Sequence, residues 1–200
     1  MNSIQIITKE SFWGIVWFVV WIVFCRVVDF SLGFLLGVVL LAAWLWAFRN
    51  PERVPLDRGE DVILAPIDGR VSNIERDKKH VRVSIDVSFF DVGLVRAPRE
   101  VESIALERRE GLVAYFSPLK NQLNQTLRAQ ITGKLTYAIS LYPSVFKQSR
   151  FYAPINFNIG ERMGFMKLGT LVLELPDSVE IRAHIGDRIK GGSSVLGYTK

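Results

Sequence analysis

Two hundred residues with 25 Lys+Arg against 20 Asp+Glu, a formal net charge of +5, indicate one domain of ordinary size plus a short additional segment. A single cysteine, Cys25, excludes a disulfide framework or a thiolate metal site within one chain, and the isolated His80 and His184 have no metal-ligand spacing, so no metal is expected. No Lys/Arg run or aromatic–basic interleaving is present, which argues against nucleic acid as a partner.

The chain opens with two uncharged apolar runs, Phe12 to Cys25 and Phe30 to Phe48, separated only by Arg26-Val27-Val28-Asp29. A straight helix needs about 20 apolar residues to cross the hydrocarbon core, a length the second run nearly reaches. A signal peptide fits the first run poorly: Lys9 is its sole early cation, Glu10 follows it, and no small-residue cleavage pattern precedes the second run. Residues 1–50 therefore read as a membrane hairpin of two helices; the short first arm also allows a shallow, half-inserted one. All five tryptophans, Trp13, Trp17, Trp21, Trp44 and Trp46, lie here, and those near the run ends suit the interfacial belt. Arg49, Arg53 and Arg58 follow at once, so the positive-inside rule places the rest of the chain on the cytoplasmic side of the inner, or cytoplasmic, cell membrane.

Charges balance up to Glu60, so the whole positive excess belongs to residues beyond it, within the 51–200 domain, and anionic head groups are its simplest partner. Period-two alternation in Val81–Ile85, Leu171–Leu175 and Val179–Ala183, punctuated by Asp68-Gly69, Ile185-Gly186-Asp187 and Lys190-Gly191-Gly192, predicts a mainly β domain. The best helical candidate in this part is Ser117 to Thr126. Ile159-Gly160-Glu161-Arg162-Met163 echoes Ile185-Gly186-Asp187-Arg188-Ile189, as two similar turns of a folded-over sheet would. These turns resemble the barrel-sandwich fold of biotinyl and lipoyl carriers, without the carrier's lysine at a hairpin tip. On local grounds Asp68-Gly69 reads as a hairpin turn and Gly169-Thr170 as a turn entering a strand.

A more specific likeness rests on elements in a fixed order: the double apolar run, Phe48-Arg49-Asn50-Pro51-Glu52-Arg53, Ala65-Pro66-Ile67-Asp68-Gly69-Arg70-Val71, Arg82-Val83-Ser84-Ile85, Phe90-Asp91-Val92, Arg96-Ala97-Pro98 and Gly160-Glu161-Arg162-Met163-Gly164-Phe165-Met166. In these the chain resembles the short bacterial and archaeal form of phosphatidylserine decarboxylase, over nearly its whole length. The resemblance implies a lyase of phospholipid biosynthesis that makes phosphatidylethanolamine and builds its own cofactor. In that family a serine hydroxyl attacks the carbonyl of the preceding glycine, the chain is cut, and a pyruvoyl group remains on the new N-terminus as an electron sink. An aspartate and a histidine assist.

Mapped residue by residue, the family aspartate falls on Asp68 and the Gly-Ser step on Gly169-Thr170, the candidate cleavage site. The histidine position is Gly93, the asparagine two positions later is Val95, and an expected Asn-Glu-Arg element reads Leu123-Asn124-Gln125-Thr126. Threonine keeps a hydroxyl and would yield a 2-oxobutyryl group in place of pyruvoyl; glycine supplies no acid or base, a loss worth about 10²–10⁴ in rate. Two altered groups out of three argue against efficient formation of the group. Arg96 and Lys167 are the candidates for substrate phosphate. The alternatives are a non-catalytic relative without cofactor, which binds anionic phospholipid or regulates a true decarboxylase, and, ranked last, a bare membrane-anchored interaction module. Homo-oligomerisation is compatible with the sequence.

Overall fold

The computed structural model describes residues 7–55, 57, 59, 61–111, 125–144, 149–152 and 156–199. The chain divides into two compact units, Met1–Glu52 and Arg53–Lys200.

In the first unit, a 3-10 turn at Lys9–Ser11 leads into α1 (Phe12–Val27), and α2 (Ser31–Ala47) returns antiparallel to it. Trp44 Nε1 at the end of α2 donates to the Ser11 carbonyl (3.2 Å), and Trp21 Nε1 donates to Gly33 at its start (3.3 Å). Gly33 and Gly37 let the helices meet closely: a Cβ on Gly33 would stand 2.9 Å from Cys25 Sγ, and one on Gly37 2.8 Å from Ile22 Cγ1. Asp29 turns the chain between the helices with φ +51°. The outward faces are apolar, with Trp13, Trp17, Val27 and Leu32 all at least two-thirds exposed. Lys9–Val27 is long and apolar enough to cross a membrane by length and composition, whereas α2, at 17 residues, is shorter.

The second unit is β-rich. Its described strands are β1 (Val62–Leu64), β2 (Gly69–Arg76), β3 (His80–Val87), β4 (Leu94–Arg96), β5 (Ser103–Arg109), β6 (Thr126–Thr132), β7 (Tyr137–Pro143), β8 (Arg150–Phe151), β9 (Arg162–Phe165), β10 (Gly169–Pro176), β11 (Val179–Ile181), β12 (Arg188–Ile189) and β13 (Val195–Thr199). They form three sheets, β1-β13-β11, β12-β2-β3-β10-β7-β6-β5 and β4-β9-β8, with every pairing antiparallel. The barrel-sandwich expectation is corrected to this extent: the described strands make three sheets and no closed barrel.

Alternation explains the core. In β3, Val81, Val83, Ile85 and Val87 point inward to meet Leu171, Leu173 and Leu175 of β10 and Ile139 and Leu141 of β7. The opposite face carries polar rows; on it Glu174 accepts from Arg82 (3.2 Å) and Arg128 (2.7 Å). The repeated Ile-Gly sequences are matching turns. Gly160 and Gly186 have φ of +78° and +98°, and the next carboxylate in each caps a main-chain N–H three residues back, Glu161 to Asn158 (2.9 Å) and Asp187 to His184 (2.8 Å). Asp68-Gly69 is not a hairpin turn: β1 pairs with β13 rather than β2, so the step carries the chain from one sheet to another. The helix expected over Ser117–Thr126 lies outside the described residues except for Gln125 and Thr126, and Thr126 opens β6.

Candidate functional site

Register brings the candidates to one end of the seven-stranded sheet. Asp68 precedes the first residue of β2, Gly169 and Thr170 begin β10, and β3 lies between them and ends at Val87. Phe89 to Gly93 continue from that end of β3, and Lys167 enters from the β9–β10 connection. Asp86 is paired with Arg70 on one side and Thr170 on the other, and Thr170 is paired in turn with Tyr142. These four residues form one row across the polar face. Two strand spacings, about 10 Å, separate the Arg70 and Thr170 backbones. Asp68 lies two residues before Arg70 of this row, and Asp68 and Thr170 are each bonded to other groups.

Asp68 is buried and clamped. Its carboxylate takes a two-pronged contact from Arg53, with Nη2 donating at 2.6 Å and Nη1 donating to the other oxygen, while the Gly191 N–H donates at 2.8 Å. Arg53 Nη1 also reaches the Gly191 carbonyl (3.1 Å), which ties the chain before β1 to the turn after β12. Bidentate pairing of this kind is the strong form of a carboxylate–guanidinium contact.

Gly93 is packed where a side chain has no room. Its carbonyl accepts from Met166 N (2.8 Å), and an added Cβ would lie 2.5 Å from the Met166 carbonyl oxygen, 3.1 Å from Phe165 and 3.3 Å from Lys167 Cδ. The lysine stem therefore borders the volume that a residue-93 side chain would claim. Lys167 is fully buried; its Nζ donates to the Asp91 carbonyl and sits 5.7 Å from the Phe89 ring centroid. Asp91 in turn accepts from Ser88 N (2.9 Å) and Ser88 Oγ (2.7 Å), which pins the loop. Val95 belongs to the core.

Thr170 is 7% exposed, and its hydroxyl donates to Asp86 Oδ1 at 2.7 Å. Just before the Gly169-Thr170 step, Leu168 has φ +49°, a left-handed conformation that costs a leucine about 1–2 kcal/mol. It is held there by Ser144 N donating to its carbonyl (2.8 Å). Gly169 is needed for close strand approach, because a Cβ there would stand 2.3 Å from the Tyr142 carbonyl oxygen.

The histidines lie elsewhere, whereas Arg96 borders the Asp68 corner, its main-chain N–H donating to the Pro66 carbonyl (2.7 Å). Arg96 is buried and donates to the Gly160 carbonyl (2.9 Å), so like Lys167 it has a main-chain acceptor. His80 is at the opposite end of β3, paired with Pro176, and the exposed His184 imidazole lies 3.7 Å from Asp187. A cleft of about 340 Å³, bordered by Pro55, Asp57, Arg99, Glu100 and Lys134, does not include Asp68, Gly93 or Thr170. Burial pushes the Tyr137 phenol well above its ordinary range, and its hydroxyl donates to the Arg99 carbonyl (3.3 Å). Among the described residues, no group of three His, Cys, Asp or Glu side chains could hold a metal ion.

Sequence reasoning missed Asp86 and the clamp role of Arg53. Extending the Val81–Ile85 alternation by one residue would have put Asp86 on the polar face, but its register against Thr170 is a non-local fact.

A family profile described as phosphatidylserine decarboxylase matches residues 40–197. A phosphatidylserine decarboxylase proenzyme of Carboxydothermus hydrogenoformans is 30% identical, with the alignment covering 100% of both chains. Proenzymes of the same name from Amoebophilus asiaticus and Symbiobacterium thermophilum are each 28% identical, over 78% and 85% of this chain and 76% and 85% of their own. No solved structure matches.

Proposed function

The chain belongs to the phosphatidylserine decarboxylase family, and we propose that it is a membrane-bound phospholipid decarboxylase that matures by cutting itself between Gly169 and Thr170. The observation that carries this reading is the Thr170 hydroxyl, directly after Gly169 and beside the strained Leu168, with its proton already directed at a carboxylate. The residues present fit the family's cofactor, since the chain supplies the glycine carbonyl and the hydroxyl from which such a group is made. When formed, the 2-oxobutyryl ketone supplies an electron sink for loss of carbon dioxide. Attack by Oγ1 converts the Gly169 amide to an ester. Loss of the Thr170 α-proton then expels the Gly169 carboxylate, and water replaces the amine, releasing ammonia. Relative to serine, the extra methyl of threonine crowds these steps and slows them.

Residues 1–50 hold the protein at the bilayer. The exposed tryptophans and aliphatic residues of α1 and α2 support this, and Arg49 and Arg53 after α2 favour the cytoplasmic side. Phosphatidylserine or a related anionic phospholipid is then the substrate, delivered within the membrane plane.

A second reading is favoured by Gly93 and the Arg53 clamp: an unprocessed relative that binds anionic phospholipid or regulates an active decarboxylase. No side chain at residue 93 can assist, and Asp68 is already engaged. Incubating the full-length protein with phosphatidylserine vesicles separates the two readings. Phosphatidylethanolamine and a cut chain support the first; binding by an intact chain with no lipid product supports the second.

A further inference from the structure

We infer that Asp86, rather than a histidine, is the catalytic base that activates Thr170 for cleavage, an assignment that rests on the self-processing reading above. The hydroxyl that must lose a proton has Asp86 Oδ1 as its acceptor at 2.7 Å, within general-base reach. The contact is built into the register: residues 86 and 170 are directly opposed on β3 and β10, so their side chains leave the same face of the sheet. Asp86 is exposed and Thr170 is buried, so the carboxylate meets solvent while the nucleophile is shielded.

The acid–base candidates read from the sequence are placed or bonded elsewhere. Asp68 is held by Arg53 and Gly191. Lys167 Nζ donates to the Asp91 carbonyl. His80 pairs with Pro176, six residues along β3 from Asp86, or roughly 20 Å away. Gly93 has no side chain, and its surroundings leave no space for one.

The first step balances without a co-reactant. The Thr170 Oγ1–H bond breaks and its proton passes to Asp86. Oγ1 bonds to the Gly169 carbonyl carbon, the Gly169–Thr170 C–N bond breaks, and the departing nitrogen takes the proton from Asp86. The product is an ester isomer of unchanged mass with a free Thr170 amine. Hydroxylamine attacks such an ester and not an amide, so it reports this step before any cofactor exists.

The test uses the full chain in phospholipid vesicles with added hydroxylamine, read by intact mass for residues 1–169 and 170–200. Wild type is expected to be cut, T170A to stay whole, and D86N to be cut about 10²–10⁴-fold more slowly. D86E keeps a carboxylate and is expected to recover part of the rate, which a purely structural role for an uncharged hydrogen-bond partner would not require. Thermal melts of D86N and D86E within a few degrees of wild type show that folding is not the cause. Equal rates for D86N and wild type, with T170A inert, overturn the role of Asp86 and leave self-processing standing. A wild-type chain that hydroxylamine does not cut overturns both.

Discussion

Two corners of the same sheet end hold an aspartate each, and the two are treated in opposite ways. At the β2 corner, Asp68 is buried, receives both prongs of Arg53 and caps Gly191. On the polar face, Asp86 is exposed and accepts a hydrogen bond from the Thr170 hydroxyl. A carboxylate saturated by a guanidinium and a main-chain N–H is a fastener; one that faces solvent and touches a candidate nucleophile can move a proton. The aspartate that matches the family pattern is the clamped one, and the one beside the Thr170 hydroxyl lies outside that pattern.

The comparison breaks most completely at Thr170. T170A removes the only hydroxyl at the step and is expected to abolish chain cleavage and decarboxylation while changing stability little; a mass spectrum that still shows two fragments would place the cut elsewhere. Next in size is the Asp68 corner. R53A leaves a carboxylate almost nine-tenths buried without its counter-charge, and a loss of about 3 kcal/mol is expected, measured as a fall in the denaturation midpoint. D68N/R53M, which removes both charges, is expected to recover much of that loss; a double variant no better than R53A would mean that the clamp is not chiefly electrostatic.

Gly93 sharpens the contrast. Restoring the family residue with G93H is expected to cost about 1–3 kcal/mol, because the new Cβ meets the Met166 carbonyl at 2.5 Å, and to leave cleavage no faster. Faster cleavage in G93H would show that the space opens and that a histidine can still serve. The smallest effect belongs to the ion pairs of Glu174 on the same face. R82A is expected to change stability by less than about 1 kcal/mol, since Arg82 is half exposed and Glu174 keeps Arg128. A larger loss in urea titration would mean that this row is coupled to the strands beneath it.

Much of this was legible in the sequence. Alternation in Val81–Ile85 and Leu171–Leu175 located two central strands and their inward faces, and the Ile-Gly echo identified two turns that proved to share one hydrogen-bonding pattern. The two uncharged runs identified both helices. Pairing was not legible. Asp68-Gly69 carries the local signature of a hairpin, yet its preceding strand pairs with β13 at the other end of the chain. The Asp86–Thr170 contact spans 84 residues, and no local pattern encodes a register that depends on every strand between them. Glycine at residue 93 read as a missing functional group, whereas in the fold it is a packing requirement set by Met166 and Lys167.

The most direct measurement is the intact mass of the full-length protein purified from membranes. Cleavage predicts two species, residues 1–169 and residues 170–200, the second beginning with a 2-oxobutyryl group in place of threonine. A single unprocessed species of 22.7 kDa would contradict self-processing and leave the lipid-binding relative as the reading to pursue.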